Sequence, residues 1–132
     1  MKAIVLEKFG GVEHLIEKNI EKPNIKPDEV LIQVKAIGIN PVDVKVRSYD
    51  APLADMLSKY DPLILGWDIS GVIVEIGNAV TNFQIGDEVF GLINFVGHGR
   101  AYAEYVAAPE GHLARKPQKI SHIEAAASPL AA

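Results

Sequence analysis

The chain has 132 residues, 17 acidic and 13 basic, for a formal net charge of -4. The two signs are mixed along the sequence with no basic cluster, so nucleic acid is not an expected partner, and 48% apolar content is that of a globular domain and excludes disorder. Cysteine is absent, which rules out disulfides, thiolate nucleophiles and thiolate metal sites.

The length suits one domain. The opening MKAIVLEKFGG has only a short apolar run ending in charge, unlike a signal peptide, and no stretch approaches the roughly 20 apolar residues of a membrane span. A cytoplasmic protein with no membrane partner is the expectation.

Residues 2–8 alternate, with Ala3 and Val5 on one side and Lys2 and Lys8 on the other, which predicts a half-buried strand. A second strand is predicted at His14–Ile20, and EKPNIKPDE then reads as a surface loop. From Val30 a long strand places Val30, Ile32, Val34 and Ala36 on an apolar face and Gln33 and Lys35 on a wet one. Asn40, Pro41 and Asp43 supply an N-cap, a first helical position and an acid in the first turn, so a short helix is expected through about Ser48. Leu53, Met56, Leu57 and Tyr60 recur at helical spacing and predict a second helix over 52–60.

The run ISGVIVEIG is apolar and β-branched, as in a strand covered on both faces. Gly86-Asp87 turns into the strand EVFGLI, and AYAEYVAAP gives another. Ser121 and Glu124 form a capping box before an alanine-rich helix, which Pro129 kinks or ends. Many short strands separated by turns predict a β-barrel or sandwich. The four histidines lie far apart in sequence and read as surface or turn residues. Gly97-His98-Gly99 leads into a strand pattern without a third glycine, so it is not a dinucleotide fingerprint.

The runs GINPVD, LGWDISG and IGDEVFG, with the spaced positions Gly71, Gly77, Val80, Phe83, Gly86, Asp87 and Val89, resemble the N-terminal catalytic domain of the medium-chain dehydrogenases and reductases. The resemblance covers most of the chain and implies a mainly β, GroES-like partly open barrel with a few short helices over residues 1–132. It also implies a nicotinamide cofactor, NADPH or NADH, held mainly by a second, doubly wound domain that is expected outside this chain. In the zinc alcohol dehydrogenases of that superfamily, the slots of Asn40 and Trp67 hold a cysteine and a histidine that grip the metal. An indole nitrogen only donates, and an amide oxygen is a poor zinc ligand. The resemblance is therefore to the zinc-independent quinone and enone reductases, with a small quinone or enone as substrate and a homodimer possible in the complete enzyme. The four-cysteine lobe of a structural zinc is also expected to be missing, since few residues separate Phe95 from Ala101.

By the same resemblance, Asn40 lies near the nicotinamide and Asp43 orients its neighbours. Lys45, where several quinone reductases carry a tyrosine, lies near the nicotinamide ribose or the substrate oxygen. Lys45 and Tyr49 are then the catalytic hydrogen-bond donors, and Trp67 and Tyr60 line the substrate pocket. Each has a plainer reading: Asn40 as a helix cap, Lys45 as a solvated side chain, Trp67 as core, Tyr49 and Tyr60 as packing. Asp68 is either an acceptor beside the Trp67 slot or a satisfied polar group at a strand start. A zinc-type alcohol dehydrogenase domain and a non-catalytic GroES-like binding module are the alternative functions.

Overall fold

The computed structural model describes residues 1–131. Seven strands and three short helices follow in the order β1 (Lys2–Leu6), β2 (Leu15–Asn19), β3 (Glu29–Gly38), α1 (Pro41–Arg47), α2 (Pro52–Leu57), β4 (Asp68–Ile76), β5 (Glu88–Leu92), β6 (Tyr105–Pro109), β7 (Ala114–Arg115) and α3 (His122–Ala126). The chain is mainly β, as the turn-separated strand pattern predicts. No helix among the described residues is long and apolar enough to cross a membrane.

β1 and β2 form an antiparallel hairpin, and the other five strands form one antiparallel sheet in the order β6-β3-β4-β5-β7. Both sheets are open. The segment before β6 joins them: Ile4 N–H donates to the Tyr102 carbonyl at 2.8 Å, Glu104 N–H donates to the Lys2 carbonyl at 3.0 Å, and Ala3 bridges Ala103. That crossing ties the two sheets together without closing them into a barrel. It also explains why β6 starts at Tyr105 and not at the predicted Ala101, because Ala101 N–H donates to the Gly66 carbonyl and residues 102–104 pair with β1.

β3 lies between β6 and β4, and its predicted alternation fails halfway. The register runs Val34 opposite Gly71, then Ala36 opposite Ser70, leaving Lys35 as the extra residue of a bulge. An extra residue inverts the side-chain alternation beyond it. Val30 and Ile32 accordingly enter the core beside Ile69, Ile73, Phe83 and Val89, but past the bulge Ile37 packs there in place of Ala36. Leu31 is buried as well, so the wet face begins only at Gln33.

A second cluster lies under α1 and α2, where Val46, Leu53 and Leu57 meet Leu6, Leu63, Leu65 and Trp67. α2 ends at Leu57, three residues short of the predicted Tyr60. Proline opens both helices, where its missing N–H costs no helical bond.

The predicted capping box opens α3: Ser121 Oγ accepts from Glu124 N–H, and Glu124 accepts from Ser121 N–H. The helix packs on β3, β4 and β5. His122 fixes it there, with Nδ1 2.6 Å from Ser70 Oγ and Nε2 2.8 Å from Glu88 Oε2. Ser70 Oγ is also 3.3 Å from the Val89 carbonyl.

Gly38 lets this layer close. A Cβ there would stand 2.4 Å from the Ala126 carbonyl oxygen and 2.9 Å from Asp68 Cβ, so Gly38→Ala is expected to lift α3 from the sheet. The expected loss in urea unfolding is about 1–3 kcal/mol, the usual range for overpacking. Gly111→Ala, which meets no atom within 4 Å, is the control and is expected to stay within about 0.5 kcal/mol.

Candidate active site

β3 ends at Gly38, and Asn40 follows at the entrance to α1 with extended backbone angles, φ -126° and ψ 163°. Its carbonyl accepts from Asp43 N–H at 3.0 Å, as at an ordinary helix start. Its side chain makes no capping bond. Instead Asn40 Nδ2 donates to Asp68 Oδ2 at 2.9 Å. The side-chain cap expected from the sequence is therefore not formed: the side chain is turned toward the buried carboxylate on β4, and its oxygen accepts no helix N–H.

Asp68 is fully buried at the first position of β4, flanked by Gly38 on β3 and Leu92 on β5. Its Oδ2 also accepts from Leu130 N–H at 3.3 Å. Burial raises its pKa, and the hydrogen bonds from Asn40 and Leu130 act against that rise.

Asp43, on α1, is 3% exposed. Its Oδ2 accepts a hydrogen bond from the Tyr102 hydroxyl. Burial is again the largest cause of a raised pKa, opposed by the Tyr102 hydrogen bond, with repulsion from Asp68 adding to the rise. Tyr102 is shifted upward as well, by burial first and then by its bond to Asp43. Asp43 Oδ1 and Asp68 Oδ1 are both buried without a partner among the described residues. Asp43, Arg47 and Tyr102 line a cavity of about 190 Å³ with Val12, Leu15, Ile39, Val44 and Leu65. Nothing in the linear pattern singles out Tyr102, since it lies 59 positions from Asp43 in a segment that reads as strand.

Lys45 is exposed on α1. Tyr49 follows the helix with φ 61° and is half exposed, and its hydroxyl donates to Asp55 Oδ1 at 2.6 Å. That bond raises the tyrosine pKa. Asn40, Asp43, Lys45 and Tyr49 thus stay on one element and its flanks.

The two proposed pocket residues lie elsewhere. Trp67 is 1% exposed in the core beneath α1 and α2, its Nε1 donates to the Gly97 carbonyl at 2.8 Å, and its ring meets Phe95 edge-on. The indole is satisfied there by apolar neighbours and by a carbonyl for its N–H. Tyr60 stacks on His98 at 4.3 Å and lines cavities with Arg100 and His98 that include neither Asn40 nor Lys45.

The histidines are less peripheral than their spacing suggests. His98 Nε2 accepts from Ile64 N–H at 3.0 Å, and burial, with Arg100 nearby, holds its pKa down to about 4. His112 Nδ1 accepts from Asn94 N–H at 3.0 Å. Among the described residues no three His, Cys, Asp or Glu side chains are grouped to hold a metal ion.

The raised pKa of Asp43 has a definite sign in stability. The stabilisation from its protonated form is complete below the ordinary carboxylate value of 3.8 and is lost as pH rises through the higher folded value. Asp43→Asn removes that loss. In urea unfolding, the variant's stability relative to the parent is expected to improve between pH 4 and pH 7, a comparison that cancels any pH-independent cost of the amide. A difference that is flat with pH would show that Asp43 is ionised without penalty.

Residues 26–118 match the alcohol dehydrogenase GroES-like domain. The chain is 41% identical over 142 residues to the chloroplastic NADPH-dependent alkenal/one oxidoreductase of Arabidopsis thaliana, covering 99% of this chain and 35% of that protein. It is 39% identical over 146 residues to the 2-methylene-furan-3-one reductase of Solanum lycopersicum, covering 99% of this chain and 34% of the relative. Among solved structures it resembles the quinone oxidoreductase from Coxiella burnetii, with a TM-score of 0.94 and 37% identity over 98% of this chain and 41% of that one. The chain thus spans about a third of the length of these curated relatives. With the match covering most of its length, the chain belongs to the alcohol dehydrogenase GroES-like domain family.

Proposed function

We propose that the protein containing this domain transfers a hydride from NADPH or NADH to a conjugated quinone or enone without zinc. The observation that carries this reading is what the side chains in the two ligand slots do. Trp67 is buried with its ring N–H committed to the Gly97 carbonyl, and Asn40 gives its amide hydrogen to Asp68. Neither offers a strong donor to a metal, and the chain has no cysteine. The names of the relatives, an alkenal/one oxidoreductase and a methylene-furanone reductase, support the same substrate class.

The chemistry agrees. Alcohol oxidation needs an alkoxide stabilised by a Lewis acid such as zinc. A quinone or enone spreads the incoming charge through conjugation, so hydrogen-bond donors can suffice. A bound nicotinamide cofactor would supply the hydride. Asn40 would hold its nicotinamide end, with Asp43 behind it on the same helix. Lys45 is the stronger choice of donor to the substrate oxygen, because the Tyr49 hydroxyl already serves Asp55 and would have to leave it. Trp67 and Tyr60 have no part in this reading.

Elemental analysis of the purified protein is expected to find zinc far below one per chain, and one chelator-resistant zinc per chain would overturn the metal-free assignment. The 132 residues carry no glycine-rich fingerprint for the pyrophosphate, so calorimetric titration of this chain alone with NADPH is expected to show no tight binding. Micromolar affinity would contradict that division of labour. In the longer protein, Asn40→Ala is expected to lower kcat/KM about five- to a hundredfold, the equivalent of roughly 1–3 kcal/mol for a hydrogen bond to the reacting complex.

A further inference from the structure

We infer that Asp68 is a positioning residue that sets the orientation of the Asn40 amide and ties it to the chain leaving α3. The inference rests on the reading of Asn40 as a cofactor contact for its functional part, but its structural part stands alone.

An asparagine side chain presents an acceptor and a double donor, and nothing intrinsic to it decides which points into a site. Asp68 decides it here. Oδ2 accepts the Leu130 N–H at 3.3 Å, which makes it the accepting oxygen whether or not Asp68 carries a proton, and the group facing it at 2.9 Å is then Asn40 Nδ2. Asn40 Oδ1 is then the atom left free to accept from a ligand donor, such as a carboxamide N–H or a sugar hydroxyl.

Asp68 can hold this role because it cannot move. It is fully buried, its backbone lies between β3 and β5, and its Cβ is among the atoms that a side chain at Gly38 would strike. The same oxygen accepts from Leu130 N–H at 3.3 Å. One atom therefore joins the start of α1 to the segment beyond α3, which are 90 residues apart in sequence. With Oδ1 unpartnered, a proton on Asp68 would reside there and leave Oδ2 free to accept. The arrangement requires an accepting oxygen and not a charge.

That requirement makes Asp68→Asn and Asp68→Leu the informative pair. In the ¹⁵N-labelled 132-residue chain, the two Nδ2 protons of Asn40 are expected to be well separated in shift and slow to exchange. Asp68→Asn should keep this signature, and Asp68→Leu should collapse it to that of a free amide. A nuclear Overhauser contact between the Asn40 side-chain protons and the Leu130 amide proton is expected in the unmutated chain, so the test survives a variant that fails to fold. An unchanged Asn40 signature in Asp68→Leu, or no contact to Leu130, would overturn the inference. In the longer protein, Asp68→Leu is expected to raise KM for NADPH about tenfold, with Asp68→Asn within about twofold of the parent. A collapsed signature with an unchanged KM would leave the positioning role standing and would count against Asn40 as a cofactor contact.

Discussion

The bulge at Lys35 is the constraint on which the site depends. A regular β3 would carry the even positions inward throughout and send Ile37 to the opposite face. With one residue extra, Ile37 enters the core, and Gly38 arrives beside Asp68 with no side chain of its own. Asn40 is then two residues from a strand pinned on both edges, within reach of the buried carboxylate. The direction in which α1 leaves the sheet follows from that inversion and not from any preference of the helix, which at seven residues is too short to hold itself.

Two buried acids within a short span are an expensive feature for a small domain. Each carboxylate has one oxygen in a hydrogen bond and one without a partner, and burial disfavours the ionised form. A domain selected for stability alone would have little use for such a pair. Their arrangement makes sense as a means of orienting α1: Asp43 anchors the helix from beneath through Tyr102, and Asp68 anchors its first residue through Asn40. The exposed face of α1, with Lys45, is held in place by groups that solvent does not reach.

Much of the fold was legible in the sequence. The alternation over residues 2–8, of which β1 forms Lys2–Leu6, the capping box at Ser121 and Glu124, and the prolines that open α1 and α2 all depend on near neighbours, which a linear reading contains. The bulge was not legible, because Lys35 becomes surplus only relative to the residues opposite it on β4. The same limit applied to the site. Asn40 was singled out by the run it sits in, but its competing partner Asp68 lies 28 positions away and Tyr102 lies 59 from Asp43. The run around Trp67 fits either a pocket wall or core, and its burial depends on the Gly97 carbonyl and on side chains beneath α1 and α2 that are distant in sequence.

The histidine that fastens α3 has a further property. Nε2 faces the Glu88 carboxylate and so carries a hydrogen, while Nδ1 faces Ser70 Oγ, which also reaches the Val89 carbonyl. One ring thus moors α3 to two neighbouring strands at once, to β4 through Ser70 and to β5 through Glu88, so a substitution at His122 would free the helix from both together.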